Sequence, residues 1–117
     1  MKTSQTELQI IEHKPTKGAF IYSGQRIWVH YNAAFTLDDL DQKDKIIETS
    51  WHKKPINFIY GNGEVLKGIE MGMKDMRVAS TRRLVLPANL CFGLKGIKGK
   101  IPPNSNLAFE IYIVKTG

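Results

Sequence analysis

Cys91 is the single thiol in the chain, and neither it nor Phe92 after it sits in a recognisable nucleophile motif. A lone cysteine forms no internal disulfide, so it reads as a small buried side chain and points to a reducing compartment. The three histidines, His13, His30 and His52, have no ligand spacing among themselves or with a carboxylate cluster, so no metal centre is expected. Gly61-Asn62-Gly63 starts like a dinucleotide fingerprint, but Leu66 stands where the third glycine belongs. It reads as turn punctuation. Covalent, metal and cofactor chemistry all lack their residues. What remains is a stretch over residues 90–105, where Gly93, Gly96, Gly99, Pro102 and Pro103 surround Phe92, Leu94, Ile97 and Ile101. An apolar loop longer than ordinary connections is more often a binding element than an accident, with a flexible, disordered loop as the alternative.

The elements that must carry this loop are mostly strands. Residues 8–12 form a weak first strand, and residues 14–24 read as a loop. Over residues 26–35, Ile27, Val29, Tyr31, Ala33 and Phe35 share one face while Trp28, His30 and Asn32 share the other. Residues 38–45 are too charged for a core and predict an exposed excursion. Ile56, Phe58 and Tyr60 alternate next, stopped by Gly61-Asn62-Gly63. The period then changes. From 64 to 76, Val65, Leu66, Ile69, Met73 and Met76 recur at helical spacing, with Glu70 four residues before Lys74. Gly68 and Gly72 fall on one stripe of this helix, where each costs ~1 kcal/mol against alanine unless something packs very close. Alternation returns over residues 78–86 and over 107–114, the latter placing Leu107, Phe109, Ile111 and Ile113 on one face. Several antiparallel strands and one short helix predict an α+β domain over 1–117.

The composition agrees. The 117 residues are 42% apolar and 24% charged, the profile of a globular domain. Residues 1–15 lack the apolar core of a secretory leader, and no apolar run approaches the ~20 residues of a membrane-spanning helix. A cytoplasmic protein without membrane contact is the expectation. The net charge of +6 is spread out rather than interleaved with exposed aromatics, so a nucleic-acid partner is not expected.

The run Gly61-Asn62-Gly63-Glu64-Val65-Leu66-Lys67-Gly68-Ile69-Glu70-Met71-Gly72 resembles the helix segment of FKBP-type peptidyl-prolyl cis-trans isomerases. Leu90-Cys91-Phe92-Gly93 is similar to the family's Tyr-Ala-Tyr-Gly stretch, Ile101-Pro102-Pro103 to its Ile-Pro-Pro loop, and Leu107-Ala108-Phe109-Glu110 to its final strand. Upstream, Val29-His30-Tyr31 resembles its Val-His-Tyr strand, while Ile47-Glu48-Thr49-Ser50 and Lys54-Pro55-Ile56 resemble its Phe-Asp-Ser and Lys-Pro-Phe segments. The likeness runs from about residue 27 to 115 and is weak over 1–20.

The resemblance implies a twisted antiparallel sheet of about five strands wrapped around one short helix, with a shallow apolar pocket between them. It implies a rotamase of Xaa-Pro bonds that needs no cofactor, assists protein folding, works as a monomer on proline-containing peptides or unfolded proteins, and takes macrolides such as rapamycin. The catalytic positions carried over are Tyr31, Glu48, Leu66, Phe92 and Phe109, with Leu66 offering its backbone N–H to a carbonyl. Those contacting substrate are Ile47, Ile56, Val65, Ile69, Ile97 and Ile101. Ile69 replaces the family's tryptophan floor, Ile47 and Ile56 its aromatics, Phe92 a tyrosine and Glu48 an aspartate. These departures imply weaker macrolide binding and reduced activity, and together with a basic rim of Lys95, Lys98 and Lys100 on the loop they leave a catalytically weak or inactive protein-binding module as the other reading.

Overall fold

The computed structural model describes residues 7–93 and 95–117. Residues 1–6 and the loop residue Leu94 lie outside the described residues, as do the side chains of Glu12 and His13. Strand β1 spans Gln9–Lys14, β2 Arg26–Ala34, β3 Glu48–Thr49 and β4 Ile56–Ile59; helix α1 spans Lys67–Gly72, β5 Thr81–Leu86 and β6 Leu107–Thr116. All pairings are antiparallel, in the order β1-β5-β6-β2-β3, with β4 also on β2. The long pair β2 and β6 forms the centre, Tyr31 opposite Ile111 and Ala33 opposite Phe109. The remaining edge of β2 is shared, β4 covering Arg26 to Val29 and β3 covering Asn32 and Ala33. The sixth strand, β3, was missing from the expectation of about five because two residues are too short to show a period.

Alternation places the core as expected. Ile27, Val29 and Ala33 from β2, Leu84 and Leu86 from β5, and Leu107, Phe109, Ile111 and Ile113 from β6 are all buried in one cluster. Phe35 departs from its assigned face. The strand ends at Ala34, and Phe35 is 38% exposed. The charged excursion at 38–45 is two short 3-10 turns rather than a free loop, and Leu40 from it is buried against Ala34 and Ala108 on the opposite side of the sheet. Arg83 anchors it, its guanidinium donating to both carboxylate oxygens of Asp41 and to Glu110. That hydrogen bonding and charge hold the Asp41 carboxyl below the usual carboxylate range.

The helix is shorter than the 64–76 expected from periodicity. Leu66 is still extended, at φ −52° and ψ 136°, and the chain leaves the helix after Gly72, with Asp75 at φ 65°. Met73 and Met76 are fully buried, but from the turn that follows. The Glu70–Lys74 pair does not form. Glu70 instead accepts from the Gly61 N–H at 2.7 Å, and its carbonyl accepts from the Tyr60 hydroxyl at 3.2 Å, tying α1 to the turn after β4. Gly61 and Gly63 in that turn take φ of 86° and 74°, the left-handed region that favours glycine.

The glycine stripe has its reason in packing. A Cβ on Gly68 would stand 2.9 Å from a Leu86 methyl and 2.8 Å from the Leu90 carbonyl oxygen, and one on Gly72 would run into the Leu84 side chain. The helix therefore lies with its backbone on β5. At the helix end, Arg82 occupies a core-facing position of β5, 6% exposed, and donates to the carbonyls of Gly72 at 2.8 Å and Lys74 at 2.6 Å. It satisfies carbonyls that a helix end leaves without partners. Gly72→Ala is expected to destabilise the fold by about 1–2 kcal/mol in denaturant unfolding, overpacking outweighing the ~1 kcal/mol gain in helix propensity. A stabilised variant would show that the close approach is not tight.

Candidate functional site

Between α1 and the sheet lies a cavity of about 360 Å³. The inward faces of β2 and β6 make its floor, with Val29, Tyr31 and Ala33 from one strand and Leu107, Phe109 and Ile111 from the other. Val65, Leu66 and Ile69 enter from the start of α1, Ile47, Ile56 and Phe58 from the β3 and β4 side, and Phe92, Ile97 and Ile101 from the long loop. Phe109 and Ile101 are buried at 6% and 5%, whereas Ile56 and Ile97 are 38% and 37% exposed, which sets them at the mouth.

All eleven candidate positions named in the sequence analysis line this one cavity: Tyr31, Glu48, Leu66, Phe92, Phe109, Ile47, Ile56, Val65, Ile69, Ile97 and Ile101. Six further lining residues were not among those candidates: Val29, Ala33, Phe58, Leu107, Ile111 and Lys100. The first five share the strand alternation that locates the core, and that signal could have found them. Lys100 was expected with Lys95 and Lys98 on a basic rim rather than in the lining, and nothing local signalled its partner. Its ammonium pairs with the Glu48 carboxylate, 52 positions away in the chain.

The described residues of the loop over 90–105 are held by hydrogen bonds rather than slack. A short 3-10 turn at Ala88–Leu90 leads in, the Gly93 N–H reaches back to Ala88 O at 2.7 Å, and the Asn104 N–H donates to Gly93 O at 2.8 Å. Ile97 and Ile101 exchange both backbone hydrogen bonds at 2.8 Å, closing a small hairpin. Gly96 is required at its base, where a Cβ would collide with the Ile101 carbonyl and Pro102. Cys91 is half-buried beneath, its thiol donating to Pro87 O at 3.2 Å, and burial pushes its pKa up, so it stays a thiol.

Tyr31 is oriented from behind. The fully buried Ser50 hydroxyl accepts from the Tyr31 N–H at 2.7 Å and lies 2.9 Å from His30 Nδ1, pinning the strand where the phenol turns into the cavity. Ser50 was also missed by the sequence reading. Among the described residues the Tyr31 hydroxyl has no hydrogen-bond partner, and the Leu66 N–H likewise donates to none. The residues lining the cavity thus include unused donors, among them Tyr31 Oη–H and Leu66 N–H, around an apolar enclosure with an ion pair at its edge. No cluster of three or more His, Cys, Asp or Glu able to hold a metal occurs among the described residues. A cavity of this make suits a neutral, largely apolar group with a carbonyl to accept those donors.

The family model for "FKBP-type peptidyl-prolyl cis-trans isomerase" matches residues 17–114. The chain belongs to this family. Fkbp12 of Drosophila melanogaster, named a peptidyl-prolyl cis-trans isomerase, is 32% identical over 92% of this chain and 96% of its own length. FK506-binding protein 4 of Rhizopus delemar is 32% identical over 92% of this chain, which spans only 26% of that longer relative. The crystal structure of AtFKBP13 superposes with a TM-score of 0.78 at 29% identity, covering 94% of this chain and 93% of the other. The FKBP fold expected from the sequence is therefore the fold observed, an antiparallel sheet with one short helix against it.

Burial, and then the Glu48 charge, raise the Tyr31 pKa above its ordinary 10.0, with Lys100 opposing. A neutral phenol is thereby favoured in the folded state, so its contribution to stability is present below pH 10 and is lost as pH rises through the higher folded value. Near-ultraviolet titration of the protein against Tyr31→Phe is expected to show the missing phenol ionising above pH 10. Ionisation at or below pH 10 would contradict an apolar surrounding.

Proposed function

We propose that the chain is a working peptidyl-prolyl cis-trans isomerase that takes an Xaa-Pro bond of a peptide or unfolded protein into this cavity, and that macrolides such as rapamycin occupy the same space. The observation that carries the proposal is the apolar cavity whose lining residues Tyr31 and Leu66 keep unused hydrogen-bond donors. Rotation about the peptide C–N bond faces ~18–20 kcal/mol because resonance must be given up. The twisted amide is less polarised than the planar one. An enclosure of Val65, Ile69, Ile101 and Phe109 side chains binds that less polar form better than water does, which is what differential binding of the transition state requires. Leu66 N–H and the Tyr31 hydroxyl are the groups that would hold the flanking carbonyls in place. The reaction moves no proton and breaks no covalent bond, in keeping with the absence of a nucleophile motif.

A second reading, a non-catalytic module that holds a protein through the same cavity, is favoured by one observation. The walls at Ile47, Ile56 and Ile69 are aliphatic, and Phe92 carries no hydroxyl.

NMR exchange measurements on a Leu-Pro peptide distinguish the two. The isomerase reading expects acceleration over buffer that falls about tenfold in Tyr31→Ala, equivalent to ~1.4 kcal/mol of transition-state stabilisation. If the rate equals that of buffer at high protein concentration, and Ile69→Trp with Phe92→Tyr creates a rate where there was none, the binding-module reading replaces it.

A further inference from the structure

We propose that the site selects prolines flanked by an acidic side chain, with Lys100 as the residue that reads the acid. The inference rests on the cavity being a prolyl-peptide site. Its starting point is the charge at the cavity's edge. Among the lining residues only Tyr31, Glu48 and Lys100 carry polar side chains, and the rest are apolar. Glu48 stands on β3 and Lys100 on the loop hairpin, so their ion pair bridges two sides of the mouth. Both side chains remain open to water, Lys100 at 44% and Glu48 at 38% exposure. An ion pair so exposed is weak and readily exchanges one partner for another.

The balance of charge around the pair is lopsided. Residues 87–106 contain Lys95, Lys98 and Lys100 and no Asp or Glu. Lys95 and Lys98 are exposed and make no ion pair among the described residues. That stretch thus brings three ammonium groups and no carboxylate, and the one carboxylate in the cavity lining, Glu48, is already engaged by Lys100. A peptide carboxylate arriving here meets an excess of positive charge. A peptide lysine meets the same excess and must also displace Lys100 from Glu48.

Geometry places these charges where a neighbour of proline would pass. Ile97 and Ile101 line the cavity and are joined by two backbone hydrogen bonds at 2.8 Å, and Lys98 and Lys100 sit on the turn they enclose. The hairpin that lines the cavity through Ile97 and Ile101 also carries Lys98 and Lys100. Consecutive Cα atoms are only about 3.8 Å apart, so a residue next to a proline in the cavity has its side chain within reach of that turn. Tied down at its base, the hairpin presents the ammonium groups at a set place.

The test uses two series of proline peptides, with Glu, Gln or Lys immediately before the proline in one and immediately after it in the other. Both kcat/KM by NMR exchange and affinity by chemical-shift titration of the protein are measured for each. In at least one series the Glu peptide is expected to exceed the Lys peptide about fivefold at low salt, the ratio shrinking toward one at high salt. Lys100→Glu, with folding checked by circular dichroism, is expected to abolish or reverse the ratio, and Lys100→Gln to reduce it. Equal or inverted preference in both series overturns the proposal, as does a Glu preference that survives unchanged in Lys100→Glu. The two levels fail differently. If the neutral Gln peptides bind but are not isomerised, the catalytic reading falls and the affinities still decide the preference; if no peptide binds, the prolyl-peptide site falls and the preference with it.

Discussion

The cavity exists because α1 lies with its backbone, not its side chains, against β5. Two glycines one helical turn apart allow it: any side chain at Gly68 or Gly72 would meet Leu86 or Leu84. At ordinary helix-to-sheet separation, larger residues on that stripe would lift the helix away and change the depth of the space in front of it. Arg82 then locks the arrangement from below, a guanidinium in the core whose charge is spent on the Gly72 and Lys74 carbonyls. Burial lowers its pKa, yet an arginine so far above neutrality stays charged and keeps both bonds. Glu70 completes the hold from the other end through the Gly61 N–H.

From that constraint the rest of the site follows. With α1 fixed, Val65, Leu66 and Ile69 face Tyr31, Phe109 and Ile111 across the cavity instead of filling it. The loop closes the remaining side with its own backbone hairpin, and its lysines stay outside where water can reach them. Apolar floor and charged lip are thus separate parts of one arrangement. The floor suits a less polarised amide, and the lip is the part that would meet whatever flanks it under the proposal.

Much of this was legible from residue order. The alternation in β2 and β6 located the sheet face that became the floor, and Gly68 with Gly72 announced a close helix approach whose partners turned out to be Leu84 and Leu86. The eleven candidate positions were carried over from the family resemblance, and they fall on one cavity; strand and helix periods account for the facing of those on β2, β6 and α1 only. What escaped depended on distant pairing. Arg82 shares the face of Leu84 and Leu86 in β5, so period and residue type disagreed there, and only the helix end explains a charge in that place. Ser50 and Lys100 act through partners 19 and 52 positions away, beyond any local pattern. The helix was read too long because Val65, Met73 and Met76 keep helical spacing while lying outside α1, in turns that bury them or turn them toward the same cavity. Leu40 hid within a charged run, where its neighbours set the average and its own burial against Ala34 and Ala108 did not register.

The central claim is that a prolyl ring enters the space between α1 and the sheet. Intermolecular nuclear Overhauser contacts between a proline-containing peptide and the protein test it directly. Contacts are expected from the proline ring to Phe109 and Ile69 in the cavity, with the flanking residue near Lys100 at the lip. Contacts confined to the opposite sheet face, where Trp51 stacks on His30 with ring centroids 4.1 Å apart, would contradict it.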